Sequence, residues 1–351
     1  GAVGLSSGLE YAPGSYAKPE EIEELCRVAA QNRGVYATHM RDEGDMLLES
    51  LEESIETAKR TGVSLQISHF KIAYPQNWHK VDEALASVEK ANKDGVSIFC
   101  DRYPYIAGST GLSYYFPLWA KQGTTEEFIA RLKDPQLENR IRSHLSEQEK
   151  KLSSWDKVVI SSVYTDENKR FEGKSVLEGA KETGKTPFEF MRDLLVEEKN
   201  RVGMVTFMMT EENLKKILAH PLVGVGTDGS AIAPYGILHR GKPHPRLYGT
   251  FPRVLGKYIR EEKILPLPEM VKKITSLPAQ KFGFVRRGVL KKEYYADVVV
   301  FDRDKVIDQA TWTDPHQYPV GIEYVIVNGK VVIEKGRHTG NLPGKVLRKI
   351  S

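Results

Sequence analysis

Over the first two thirds of the chain, short apolar runs alternate with longer stretches that are apolar on one face only. The runs occupy residues 2–6, 35–39, 65–69, 96–101 and 223–228. Helical patterns lie between them at 19–32, 45–61 and 80–94. In the last of these, Val81, Leu85, Val88 and Ala91 recur at three- and four-residue spacing, which is one buried stripe of a helix. Strand, helix, strand, repeated, predicts a parallel sheet covered by helices.

The spacing of polar residues at the ends of the runs sharpens this. His39 and His69 are 30 residues apart, and Asp101 lies 32 beyond His69. One strand-helix unit takes ~30 residues, so each of these side chains ends a successive strand. In a closed parallel barrel all strand C-termini open onto one face, and residues distant in sequence meet there. A doubly wound open sheet gives the same alternation, but no Gly-rich phosphate loop follows any strand here. The fold predicted is therefore α/β, a (β/α)8 barrel of TIM type.

The rhythm breaks after Asp101, since more than 120 residues precede Asp228. A charged helical region at 125–151, a strand-like 157–163 and a helix near 187–198 fill the gap, an insertion on the functional face. After about residue 277 short strands and turns take over, at 287–290, 296–302, 324–330 and 330–334. Asn328-Gly329 supplies the two positive-φ residues of a tight hairpin. The expected division is a hydrolase barrel at 1–277 with insertion 111–222, then a small β-sandwich at 278–351. Residues 1–8 read as a buried small-residue strand entered part-way, which predicts an N-terminal truncation.

Composition narrows the function classes. With 51 basic and 47 acidic residues well mixed, and Arg286-Arg287 and Lys291-Lys292 as the longest basic clusters, nothing suggests a nucleic-acid partner. No apolar run approaches the ~18 residues of a membrane helix. Two cysteines, Cys26 and Cys100, exclude a disulfide scaffold and fit a reducing cytoplasm. Oligomeric state leaves no signal.

Each candidate site residue has a plain reading beside the chemical one. His39, in Thr38-His39-Met40-Arg41-Asp42-Glu43, either caps a strand or ligates a metal; His69 repeats its position on the next strand, which favours a shared site. Asp228 in Gly226-Thr227-Asp228-Gly229 either stabilises a turn or exchanges protons with a water on a metal. Lys71, Tyr103, Ser109 and Arg246 can together hold an anion, although each alone reads as a surface charge, packing or loop residue.

The motifs Gly34–Glu43 (GVYATHMRDE), Ile67–Lys71 (ISHFK), Tyr103–Thr110 (YPYIAGST), Gly226–Gly229 (GTDG) and His244–Gly256 (HPRLYGTFPRVLG) stand in one order over nearly the whole chain. The tail Tyr295–Asp302 (YADVVVFD) and Val327–Lys330 (VNGK) follows them. Together they resemble the D-aminoacylase (N-acyl-D-amino-acid deacylase) family of the amidohydrolase superfamily. The resemblance implies zinc-dependent hydrolysis of a small N-acyl-D-amino acid to a carboxylate and a D-amino acid. It implies His39 and His69 as zinc ligands, Asp228 as general base and acid, and Lys71, Tyr103, Ser109 and Arg246 around the substrate α-carboxylate. The chain departs from the family in having no His-x-His pair and no cysteine at the ligand position; Cys26 and Cys100 read as buried hydrophobes. On this alignment barrel strands four to eight are present and one to three are absent. Two other readings remain: a cyclic-amide hydrolase of hydantoinase or dihydroorotase type, which typically carries a bridging carbamylated Lys, and an inactive fragment that needs its missing part.

Overall fold

The computed structural model describes residues 1–348. Strands β1 (Gly4–Gly8), β2 (Val35–His39), β3 (Ser64–Ile67) and β4 (Ile98–Arg102) pair in parallel, in that order. Helices α1 (Pro19–Gln31), α2 (Leu47–Thr61) and α3 (Val81–Lys93) make the crossovers. Their ends follow from local chemistry. Pro19 opens α1, where a missing N–H costs nothing. Gly62, at φ 71°, closes α2 in the left-handed conformation and donates its N–H to Ala58.

The apolar stripes of these helices pack on the sheet. Leu47, Leu51 and Ile55 of α2 and Ala84 and Val88 of α3 are all at most 2% exposed, against Tyr36, Leu65, Ile67 and Ile98 of the strands. Each large apolar side chain buried there contributes roughly 1.5–3 kcal/mol. Cys26 and Cys100 are unpaired and buried, as small hydrophobes are expected to be.

The insertion builds a second core. Strands β5 (Ala107–Gly111), β6 (Val158–Ser162) and β7 (Gly203–Phe207) form a separate antiparallel sheet in the order β5-β7-β6. Around it lie α4 (Thr125–Lys133), α5 (Pro135–Leu152), α6 (Val176–Thr183) and α7 (Pro187–Glu197). The helical region expected at 125–151 is thus two helices. Pro135 cannot continue α4, and the Asp134 side chain caps the new helix at Gln136 N, 2.9 Å away. Phe128, Ile141, Trp155, Ile160, Met191 and Met204 fill this second core.

Helix α8 (Glu211–Ala219) then leads into β8 (Val223–Val225), which pairs in parallel with β4. The sheet order is β1-β2-β3-β4-β8, with β1 and β8 at its edges among the described residues. Helix α9 (Arg246–Arg253) runs into a π-helical turn, Val254–Glu261, and α10 (Leu267–Ile274) and α11 (Ser276–Lys281) follow.

The C-terminal stretch is one antiparallel sheet, ordered β12-β11-β10-β9. Its strands are β9 (Val298–Phe301), β10 (Ile322–Val327), β11 (Lys330–Glu334) and β12 (Arg337–His338). The Asn328-Gly329 hairpin forms as expected, both residues at positive φ (49° and 79°). The expected sandwich does not, among the described residues. Four short strands make a single layer, and Val299 and Val300 remain 51% and 44% exposed. The strand expected at 287–290 does not form; the stretch is irregular and bends at Gly288 and Val289, with Gly288 at φ 79°.

Candidate active site

The C-terminal ends of the parallel strands converge on one hollow of about 220 Å³. His39, His69, Lys71, Tyr103, Ser109, Asp228 and Arg246 all line it, so every residue nominated from the sequence reaches one place. A larger hollow, about 400 Å³, lies between the π-helical turn, α10 and β9, but it gathers no cluster of metal-ligating side chains among the described residues. The group of potential metal ligands lines the smaller one.

His39 is the last residue of β2, and His69 lies two residues past β3. Their rings meet edge to face with centroids 4.5 Å apart. Glu43, four residues after His39, completes a group whose potential ligand atoms all lie within 4.8 Å of one another. Its carboxylate accepts a hydrogen bond from Lys71 Nζ at 2.5 Å to each oxygen, and lies 3.0 Å from His69 Nδ1. Burial opposes the charge on Glu43, but Lys71, His39 and His69 outweigh it and hold the carboxyl well below its ordinary range. His69 is shifted the other way: burial, then the Lys71 ammonium, lowers its pKa. For His39 burial is overcome by Glu43 and Glu10, and the pKa is raised. Two imidazoles and a carboxylate are a donor set that zinc uses, so these residues fit a divalent metal.

Asp101, which ends no strand but sits one residue before the end of β4, works underneath. Its carboxylate accepts from Gln66 Nε2 and from the backbone N–H of His69, both at 2.8 Å. That second bond supports His69 at φ 41°, a conformation a His rarely holds unaided. Burial raises the Asp101 carboxyl. A side chain at position 226 would strike Asp101 Oδ1 at 2.7 Å, so Gly226 lets the chain pass to Asp228.

Asp228 also lies at positive φ, 45°, three residues past β8. It pairs with Arg246 Nη2 at 2.9 Å. Arg246 is 5% exposed, and its Nε and Nη1 have no hydrogen-bond partner. Its guanidinium lies 4.5 Å from the centre of the Tyr103 ring. Ser109, on β5, donates its hydroxyl to Met204 O at 2.9 Å, leaving the oxygen able to accept. The insertion thereby supplies one wall, with Tyr114, Thr206 and Met208.

Two carboxylates of the wall escaped the sequence reading. Glu43 sits inside the charged cluster after His39 but was not singled out. Glu10 lies two residues past β1, with Oε2 2.5 Å from His39 Nε2, and Oε1 accepting from Tyr114 OH at 2.7 Å. A signal existed: Glu10, His39 and His69 are spaced 29 and 30 residues apart, one strand-helix unit each time.

The model described as "Amidohydrolase family" matches residues 178–333, a span that holds Asp228 and Arg246 but neither histidine. Over 99% of its length the chain is 36% identical to D-aminoacylase of Alcaligenes xylosoxydans xylosoxydans. It is similarly 34% identical, with TM-score 0.77, to the crystal structure of N-acyl-D-glutamate deacylase from Bordetella bronchiseptica, which was solved with zinc and a phosphonate mimic of the tetrahedral intermediate. The alignment covers 96% of this chain and 62% of that one, and the chain likewise spans 62% of the D-aminoacylase. D-Hydantoinase from Thermus sp., 14% identical with TM-score 0.50 over 97% of this chain and 66% of that one, shares the fold alone. The chain's homologues are thus D-aminoacylases and N-acyl-D-glutamate deacylases, the family its motifs resemble.

Proposed function

We propose that the protein is a zinc-dependent deacylase that cleaves N-acyl-D-amino acids into a carboxylate and a free D-amino acid. The observation that carries this is the single hollow, where a metal-ligating His-Glu-His group faces an arginine with unused donors. His39 and His69 would hold the zinc. When bound, zinc activates water at neutral pH and polarises an amide carbonyl.

The chain's own side chains do the rest. Arg246, with two unsatisfied nitrogen donors, Lys71, Tyr103 and Ser109 receive the substrate α-carboxylate; a planar guanidinium suits two parallel bonds to it. Anchoring that group fixes which face of the amide is presented and hence the D configuration. Asp228 accepts a proton from the attacking water and passes it to the departing amine nitrogen. Its ion pair with Arg246 links proton transfer to substrate anchoring.

In this reading the five parallel strands are strands four to eight of a (β/α)8 barrel. Residues 1–277 with insertion 111–222 are the hydrolase body and 278–351 a separate unit. The unpaired cysteines support a reducing, cytoplasmic setting. No helix of the described residues is long and apolar enough to cross a membrane.

The test is turnover of N-acetyl-D-methionine, its L enantiomer and a 5-substituted hydantoin by the zinc-loaded protein. Release of amine from the D substrate alone is expected. Ring opening of the hydantoin without deacylation would replace this reading with that of a cyclic-amide hydrolase.

A further inference from the structure

We propose that Lys121 receives a second carboxylate of the substrate, that of an acidic D side chain, so that N-acyl-D-glutamate or N-acyl-D-aspartate is the preferred class. The inference rests on the deacylase reading for where the α-carboxylate lies. A hollow of about 290 Å³ adjoins the candidate active site, and Tyr11, Thr110 and Tyr114 line both. Strand β5 leads from one to the other: Ser109 lines the site, Thr110 the boundary and Gly111 the annex. A side chain on an α-carbon whose carboxylate is held at Ser109 and Arg246 has this space beside it.

The annex carries one charge. Lys121 is the only ionised side chain lining it among the described residues; the others are hydroxyls, an amide, and small or apolar groups. Its Nζ donates to Tyr114 O at 3.1 Å. The acids nearby are committed elsewhere, Glu10 to His39 and Tyr114, Asp45 to Lys151, and Glu127 to the Thr124 N–H. Arg131 donates to Ala120 O and Gln122 O, clamping the backbone on either side of Lys121. Burial pushes the Lys121 ammonium down to about 8, and Glu10 offsets this only in part. A carboxylate held against it stabilises the charge that burial opposes. Lys121 also lines a hollow on the metal side, but Glu10, Asp42, Glu43 and Asp45 line that one too and repel an anion.

The test compares kcat/KM of the zinc-loaded chain for N-acetyl-D-glutamate, N-acetyl-D-aspartate and the neutral N-acetyl-D-glutamine. N-Succinyl-D-methionine, which carries its second carboxylate on the acyl side, separates the two possible sources of that group. The better acidic D substrate is expected to exceed N-acetyl-D-glutamine by about 10–100-fold, the worth of a hydrogen bond to a charged group. Lys121→Met should erase that margin, chiefly through KM, and Lys121→Arg should keep part of it. A margin that survives in Lys121→Met overturns the proposal, and equal losses on acidic and neutral substrates reduce Lys121 to a structural residue. A loss with N-succinyl-D-methionine but not with N-acetyl-D-glutamate overturns it as well and puts the acyl group in the annex. Circular dichroism and thermal unfolding of each variant show that it folds. Calorimetric binding of N-acetyl-D-glutamate and N-acetyl-D-glutamine reads the same margin without turnover. A chain that prefers the acid through Lys121 yet hydrolyses no D substrate keeps the proposal and removes the deacylase reading.

Discussion

The two ends of the hollow are built on opposite principles. At one end Glu43, His69 and Lys71 satisfy one another at hydrogen-bond distance, and Glu43 is buried with its charge matched. At the other end Arg246 is just as buried, yet two of its three nitrogens have no partner and its one ion pair is to a half-exposed Asp228. Leaving buried donors unpaired costs about 1–3 kcal/mol per group. The first end is therefore pre-organised by the protein alone, while the second is completed by what binds. The difference teaches where specificity and stability reside: a cation end that the fold needs, and an anion end that the substrate needs.

That comparison can be broken at several points. Asp228→Ala should lower kcat by about 10²–10⁴-fold, the usual worth of a positioned proton carrier, while zinc content by mass spectrometry stays near wild type. A variant with wild-type kcat would remove Asp228 from the reaction. Lys71→Met acts on the cation end. It leaves Glu43 buried without its partner, and urea unfolding should show a loss of about 3–5 kcal/mol. A loss under 1 kcal/mol would mean that this end is not held by its own ion pair.

At the anion end Arg246→Met should cut kcat/KM for N-acetyl-D-methionine by about 100-fold, near the cost of a charge-assisted pair. The same variant assayed with the carboxamide analogue, which lacks the anion, should differ little from wild type. Equal losses on both substrates would show that Arg246 acts through Asp228 instead. The smallest effect belongs to Ser109→Ala, whose hydroxyl already donates to Met204 O. A rise in KM of about 5-fold is expected, the worth of one neutral hydrogen bond, with kcat unchanged.

How much was legible beforehand differs by element. The helices at 19–32, 45–61 and 80–94 emerged within two residues of their expected ends, because an apolar stripe and a capping residue are both local. Strand β5 was missed, since Gly108, Ser109 and Thr110 carry no apolar alternation and its pairing with β7 lies almost 100 residues away. The split between α4 and α5 at Pro135 was a local signal passed over within a longer charged pattern. Of the site, the histidines were visible through their spacing. Glu10 shared that spacing but not the residue type that drew attention.

The sequence by itself determined the alternation of strand and helix, the repeat length and the polar residues that end each repeat. Those properties depend on neighbours a few positions apart, and they sufficed to bring His39, His69 and Asp228 to one face; the motif resemblance added Lys71, Tyr103, Ser109 and Arg246, which line the same hollow. Only the tertiary structure decided which charges compensate which. Lys71, expected beside the substrate's carboxylate, also holds its ammonium against Glu43, 28 residues away. Nor could local pattern place Asp101 beneath His69 or Glu10 against His39. Pairing energies depend on distance and burial, and both are set by how strands far apart in the chain come to lie side by side.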